Sequence, residues 1–344
     1  LATLNSVGYQ GYDASLIPVG AGSATQNLRP ASASFVIPNQ SGGTYAANAI
    51  AFVTSANNQT LSFANNADML NLTSGGFIAA GNFTGKTIGS AIGNGSVTAG
   101  GTQNSGAAPL YFSVNQGTVN FNSSIVDNGL GAATRFVFMP FNGTVVNIFG
   151  ANTYTGGTQL NGSISHTGTL ALNVFGANGT SIVAIPNGDL EINGATVRLD
   201  AASQIHTSVV PVLYGAGVLN LNNQIQALAG LSFINDGSST AASVTTGTGT
   251  LSLNGNVTAT SFNVGSVASI TTTGAGSVNL GGATRTFNIS PVTVNGNTTV
   301  ANVTPTLNVN GLITNGGILK TGAGLLQMTG NTSTFAGGFN LSAG

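Results

Sequence analysis

Asp189 and Glu191 stand two residues apart, with Arg198 and Asp200 shortly after, and this is the one local cluster of acids in the chain. Alternate residues of a strand share a face. Asp189 and Glu191 would therefore project together, and two carboxylates held at a defined separation are the machinery of glycoside hydrolysis. The plainer reading, a solvated outward face that adds solubility, is preferred because spacing in sequence sets no carboxyl separation in a fold. No catalytic residue is assigned. His166 and His206 are the only imidazoles and there is no cysteine, so a Cys/His zinc site is excluded. A two-histidine site would need both rings to converge with a carboxylate. They are read as unrelated surface or turn histidines, and neither metal nor cofactor is expected.

Other fragments look like chemistry and reduce to turns. Asp127-Asn128-Gly129 and Asn235-Asp236-Gly237 resemble pieces of calcium loops but lack the spaced acids that follow in such loops. The Gly-Ala-Gly stretches lack the Lys-Ser/Thr ending of a phosphate loop, and no Gly-x-Ser-x-Gly elbow is present. Sequons such as Asn58, Asn71, Asn82, Asn122, Asn256 and Asn297 are expected by chance in a chain so rich in Asn, Ser and Thr.

The elements that would position any site are written in the composition. Lys+Arg number 6 and Asp+Glu 7, leaving 4 % charged residues and a net charge of −1, against about 25 % charged in ordinary soluble domains. Phosphate neutralisation has no residues to perform it, which excludes nucleic acid as a partner. Disorder is excluded too, because 41 % of residues are hydrophobic and the mean hydropathy is +0.29. No apolar run approaches the ~18 residues of a membrane span. The opening "LATLNSVGYQ" has no charged n-region, so a signal peptide would be removed or lie outside these residues.

Short alternating runs of Val, Ile, Leu, Thr, Ser, Asn and Gly predict an all-β chain. One phrase recurs, as Val119-Asn120-Phe121-Asn122, Val146-Asn147-Ile148, Leu170-Ala171-Leu172-Asn173, Leu190-Glu191-Ile192-Asn193-Gly194, Leu219-Asn220-Leu221-Asn222, Leu251-Ser252-Leu253-Asn254-Gly255, Val278-Asn279-Leu280-Gly281 and Leu307-Asn308-Val309-Asn310-Gly311. Two apolar residues flanking a polar one make a short strand with one face inward, and the Asn or Gly turns the corner. Its spacing of about 20 to 32 residues lies in the solenoid range. A parallel β-helix is expected, with Asn stacked above Asn, and with Leu190, Leu219 and Leu251 close together in space. An antiparallel β-sandwich is the alternative, with Asn94-Gly95, Asn142-Gly143, Asn178-Gly179 and Asn187-Gly188 as hairpin turns. Residues 1–60, which hold Tyr9, Tyr12, Pro18, Pro30 and Pro38, are expected to form an irregular N-terminal cap, and 61–344 the coils.

Residues 315–344, "NGGILKTGAGLLQMTGNTSTFAGGFNLSAG", resemble the passenger-associated transport repeat of bacterial autotransporters. The match falls on Gly317, Leu319, Lys320, Gly322, Gly324, Leu326, Met328, Gly330, Asn331, Thr332, Phe335, Gly337 and Gly338. It departs at Leu325, where Thr is usual, and at Ser333-Thr334-Phe335, where the Thr-Tyr step is spread by a residue. A truncated copy in residues 148–165 keeps the turn as Asn152, Thr153, Tyr154, Gly156 and Gly157. The Asn/Thr/Gly-rich texture is similar to that of rickettsial surface antigens. Lys320 is either a position of the repeat or a surface side chain snorkelling over a coil.

This resemblance implies a right-handed parallel β-helix exported across the outer membrane by a translocator barrel that is not in these residues. It implies a cell-surface or extracellular passenger, an adhesin or stalk that meets host protein or glycan through a neutral surface and is not an enzyme. The alternative is a structural subunit that self-assembles with copies of itself into a surface layer, sheath or filament, since little charge repulsion would keep copies apart.

Overall fold

A computed structural model describes residues 4–5, 8–9, 17, 19–30, 34–53, 56–81, 85–101, 107–141, 143–163, 165–236, 240–298, 304–330, 333–334 and 336–343. Among them every regular element is a β-strand, and the ladders between strands are parallel apart from the two-residue pair Leu4–Asn5 with Gly8–Tyr9. The antiparallel sandwich is therefore not the fold, and the chain is a parallel β-solenoid. It divides into two compact units, residues 1–161 with 166–188, and residues 162–165 with 189–344.

In the first unit, one run of parallel strands comprises Gly22–Leu28, Thr44–Val53, Met69–Ala80, Ala107–Asn115, Ala133–Phe141 and Thr158–Asn161. A second comprises Phe35–Ile37, Thr60–Phe63, Lys86–Ile88, Thr118–Phe121, Thr144–Ile148 and Gly168–Leu172. The two runs alternate along the chain, so each passage through both is a coil. Parallel pairing thus begins within residues 1–60, because "TYAANAIAFV" alternates small and branched residues that fit the pleat as well as the later coils do.

Register puts like on like. Leu61, Ile88, Phe121, Ile148 and Leu172 hold one ladder position on five successive coils, each at most 2 % exposed. Ile50, Phe77, Phe112 and Phe138 do the same in the other run. Phe112 joins the rows, with its ring centroid 5.1 Å from Phe77 and 5.4 Å from Phe121. Burying such a side chain contributes roughly 1.5–3 kcal/mol, while ordering one residue's backbone costs about 1–2 kcal/mol. A coil therefore needs its whole inward row, and neighbours to cover it.

The strand Met69–Ala80 bends midway. Its first half pairs with Ser96–Ala99 and its second with Ala107–Asn115. Gly75 permits the bend: φ is +75° and a Cβ there would lie 1.8 Å from the Pro109 carbonyl oxygen, a position only glycine can hold.

The second unit has three runs. One joins Leu190–Asn193, Pro211–Tyr214, Leu231–Asn235, Val257–Ser261, Thr284–Ile289, Gly317–Thr321 and Phe339–Leu341. Another joins Thr196–Leu199, Val218–Asn220, Ser243–Gly247, Ala268–Thr272, Leu307–Asn310 and Leu326–Met328. The third joins Gln226–Leu228, Thr250–Leu253, Ser277–Asn279 and Leu312–Thr314.

One expectation fails here. Leu190, Leu219 and Leu251 lie in three different sheets, so the recurring phrase marks a strand and its corner on any face of a coil; it stacks on itself at Val119, Val146 and Leu170 and again at Leu251 and Val278, but not in one file along the chain. Asn-on-Asn contacts do form, as separate pairs: Asn147 Nδ2 donates to Asn120 Oδ1 at 2.8 Å, Asn94 Nδ2 to Asn66 Oδ1 at 2.8 Å, and Asn315 Nδ2 to Asn279 Oδ1 at 3.1 Å. The first pair ends at Ala171, the next residue on its ladder. Corner Asn residues adopt the left-handed region at Asn58, Asn222, Asn223, Asn295 and Asn315, where their side chains can bond local backbone.

Candidate functional site

The two stretches that resemble the transport repeat build the same corner. In the first unit Gly156 N donates to Thr134 O at 3.0 Å, and Gly157 O accepts from Phe136 N at 3.0 Å. In the second unit Gly337 N donates to Gly316 O at 2.8 Å, and Gly338 O accepts from Ile318 N at 3.0 Å. The second glycine is left-handed in both, φ +87° and +74°. The first has no room for a side chain: a Cβ on Gly156 would sit 2.6 Å from the Thr134 carbonyl carbon, and one on Gly337 2.7 Å from Gly317 N.

Ahead of the glycines, Asn152 clips three coils together. Its Oδ1 accepts from Ile125 N at 2.8 Å and its Nδ2 donates to Ala184 O at 2.8 Å. Thr153 N adds a bond to Ile125 O at 3.0 Å. Tyr154 is 2 % exposed, with its Oη 2.6 Å from Thr158 Oγ1, and burial pushes its phenol pKa far above the ordinary range. In the other copy Gly317, Gly322, Gly324 and Gly330 each press against backbone of the preceding coil or of Gly337, while Leu319 faces outward between Thr286 and Asn340. Asn331, Thr332 and Phe335 lie outside the described residues.

Lys320 is no snorkelling surface residue. It is 3 % exposed, stacked over Phe287 in the inward row, and its Nζ donates to Gly322 O at 2.6 Å and Ala343 O at 2.7 Å. Lys86, the other lysine, is fully buried, and its Nζ donates to Gly81 O at 2.9 Å and Gln116 O at 3.1 Å. Each ammonium thus ties the corner of its own coil to that of the next. Burial lowers both pKa values, because desolvation disfavours the charged form. The matching Lys-Thr pairs, Lys86-Thr87 and Lys320-Thr321, were the available signal, masked by the rule that lysines face water.

Among the described residues the acids of the Asp189 cluster are divided between two sheets. Asp189 and Glu191 do share an outward side, flanking inward Leu190. Asp200 follows a strand of another sheet, gripped by Arg198 Nε and Nη2 at 2.7 Å each and by Asn222 Nδ2 at 3.0 Å. Asp127 is spent on the fold, accepting from Thr134 N at 2.7 Å and from Thr155 N at 3.0 Å. So is Asp68, through Gln40 N and Gly42 N. His206 Nδ1 lies 2.7 Å from Ser208 Oγ, and the His166 ring lies 4.2 Å from that of Phe141. Among the described residues no three His, Asp or Glu side chains converge to hold a metal ion.

What the first unit does present is an outward cleft with no charged residue in its lining. Gly76 pairs with Tyr111, while Ile78 and Met139 both pair with Ser113. Together with Phe77 they line a shallow cleft of about 330 Å³, with Ile78 39 % exposed. In "GGFIAA" and "FVFMPF" both faces of the strand are largely apolar, the sequence signal for a face that is not simply solvated. Comparison with family models, curated proteins and solved structures finds no match to this chain.

Proposed function

We propose that the chain is a non-enzymatic passenger of the bacterial cell surface that meets host protein or glycan through the sparsely charged outer faces of its coils. The observation that carries this reading is the outward cleft around Ile78, Tyr111 and Met139, apolar at its centre, where recognition rests on fit and aromatic contact. The paired Gly-Gly corners support a common role for the two repeat stretches, and export by an outer-membrane translocator barrel belongs to the same proposal. With so few charges, association gains no electrostatic steering and is insensitive to salt.

The test uses the chain fused to a fluorescent protein, with binding to host epithelial cells read by cytometry and particles viewed by electron microscopy. Saturable binding that falls about tenfold or more in the Tyr111→Ser, Ile78→Ser double variant is expected. Equal binding by that variant, or ordered filaments or sheets of the chain alone without cell binding, would replace this reading with self-assembly.

A further inference from the structure

A second concavity in the first unit lies apart from the Tyr111 cleft, at about 780 Å³, well inside the 300–1,000 Å³ of small-molecule sites. Ala46, Met69 and Asn71 form its floor, from adjacent strands in register. Leu130 and Gly129 form one wall. That wall is built by hydrogen bonds: Asn128, 2 % exposed, donates through Nδ2 to Ala99 O at 3.1 Å and accepts at Oδ1 from Leu130 N at 2.9 Å.

Asn71 is anomalous. It is 5 % exposed, and its Oδ1 has no hydrogen-bond partner, although buried polar groups are almost always paired. Its ladder neighbours explain the vacancy in its bonding. Ala46 on one side has no polar side-chain atom, and Thr98 on the other is engaged with Thr134, Oγ1 to Oγ1 at 3.0 Å. The same burial argues against Asn71 as a glycosylation acceptor, whatever the sequon Asn71-Leu72-Thr73 suggests.

We propose that this concavity binds a neutral, hydroxyl-rich ligand, a short oligosaccharide, whose hydroxyl donates to Asn71 Oδ1 as that side chain turns out of its sealed position, while its C–H faces lie on Ala46, Met69 and Leu130. No charged side chain lines the concavity, which disfavours ionic ligands. A peptide strand is disfavoured too, because the floor is a sheet face whose backbone groups already bond one another, whereas peptides add at sheet edges. The inference concerns a site separate from the Tyr111 cleft and does not depend on export or host binding.

The chain has three methionines, so [¹³C-methyl]methionine labelling gives three reporters: Met69 in this floor, Met139 in the other cleft and Met328 in the second unit. The probes are neutral trisaccharides of glucose, galactose and N-acetylglucosamine, each titrated to about 10 mM, beyond a millimolar Kd. The expected result is a saturable shift of Met69 with at least one probe while Met328 stays still. Asn71→Ala weakens that binding about tenfold, the worth of one hydrogen bond. Leu130→Ala, at a half-exposed wall position, weakens it severalfold and guards against a folding defect at Asn71; unshifted Met139 and Met328 signals certify each variant. No Met69 shift with any probe overturns the proposal, as does equal affinity in both variants. A neutral tripeptide that shifts Met69 where the sugars do not overturns it in favour of peptide recognition.

Discussion

Asn152→Ala removes one amide that serves three coils. The Ile125 N–H loses its acceptor and the Ala184 carbonyl its donor, at sites that Asn152, 9 % exposed, shields from water. Each orphaned group costs about 1–3 kcal/mol, so the substitution should destabilise these coils by roughly 2–5 kcal/mol. In a solenoid such a loss stays with the coil and its neighbours. Native-state hydrogen exchange, resolved by residue, is therefore the assay. Protection of the Ile125 amide should fall about 30-fold or more, since 1.4 kcal/mol is a factor of ten. Asn152→Asp keeps an acceptor for Ile125 N but sets an oxygen against Ala184 O, so it should spare Ile125 more than Ala184's coil. Ile125 protection within about threefold of the parent in Asn152→Ala, with denaturant stability within about 0.5 kcal/mol, would refute the three-coil role of Asn152.

Gly156→Ala and Gly337→Ala should each destabilise their unit by several kcal/mol and unfold it at lower denaturant, because the added methyl meets fixed backbone at 2.6 and 2.7 Å; Gly101→Ala serves as the unclashed comparison, with nothing near its Cβ and a φ outside the left-handed region. The raised pKa of Tyr154 means that its stabilising contribution is whole below the free value of 10.0 and is lost as pH rises above it. The loss approaches about 1.4 kcal/mol per pH unit, and the buried lysines, whose pKa values are lowered, act in the opposite sense. Tyr154→Phe should therefore unfold with a flatter pH dependence above pH 10 than the parent, and equal slopes would refute the assignment.

The strand-and-corner grammar was legible, because a period of two with Asn or Gly at the ends has few other physical meanings. Stacking order was not. Ile270 pairs with Val309 while Val309 pairs with Met328, so coil length varies about twofold and a regular beat cannot tell which face a given Leu occupies. The Gly-Gly corners were legible as a motif, yet their reason, backbone at van der Waals contact, appears only in three dimensions. Lys86 and the Asn71 concavity were hidden for opposite reasons: charge suggests exposure, and a lone Asn among dozens of uncharged polar residues carries no mark.

The buried lysines have a practical consequence. Both primary amines of the chain's lysine side chains are engaged inside the coils, so acylating dyes, aldehyde fixatives and amine-directed cross-linkers find no lysine to react with while the fold is intact. Trypsin meets the same obstacle at these two peptide bonds. Gain of amine reactivity at Lys86 or Lys320 is thus a built-in gauge of coils coming apart, readable by mass spectrometry.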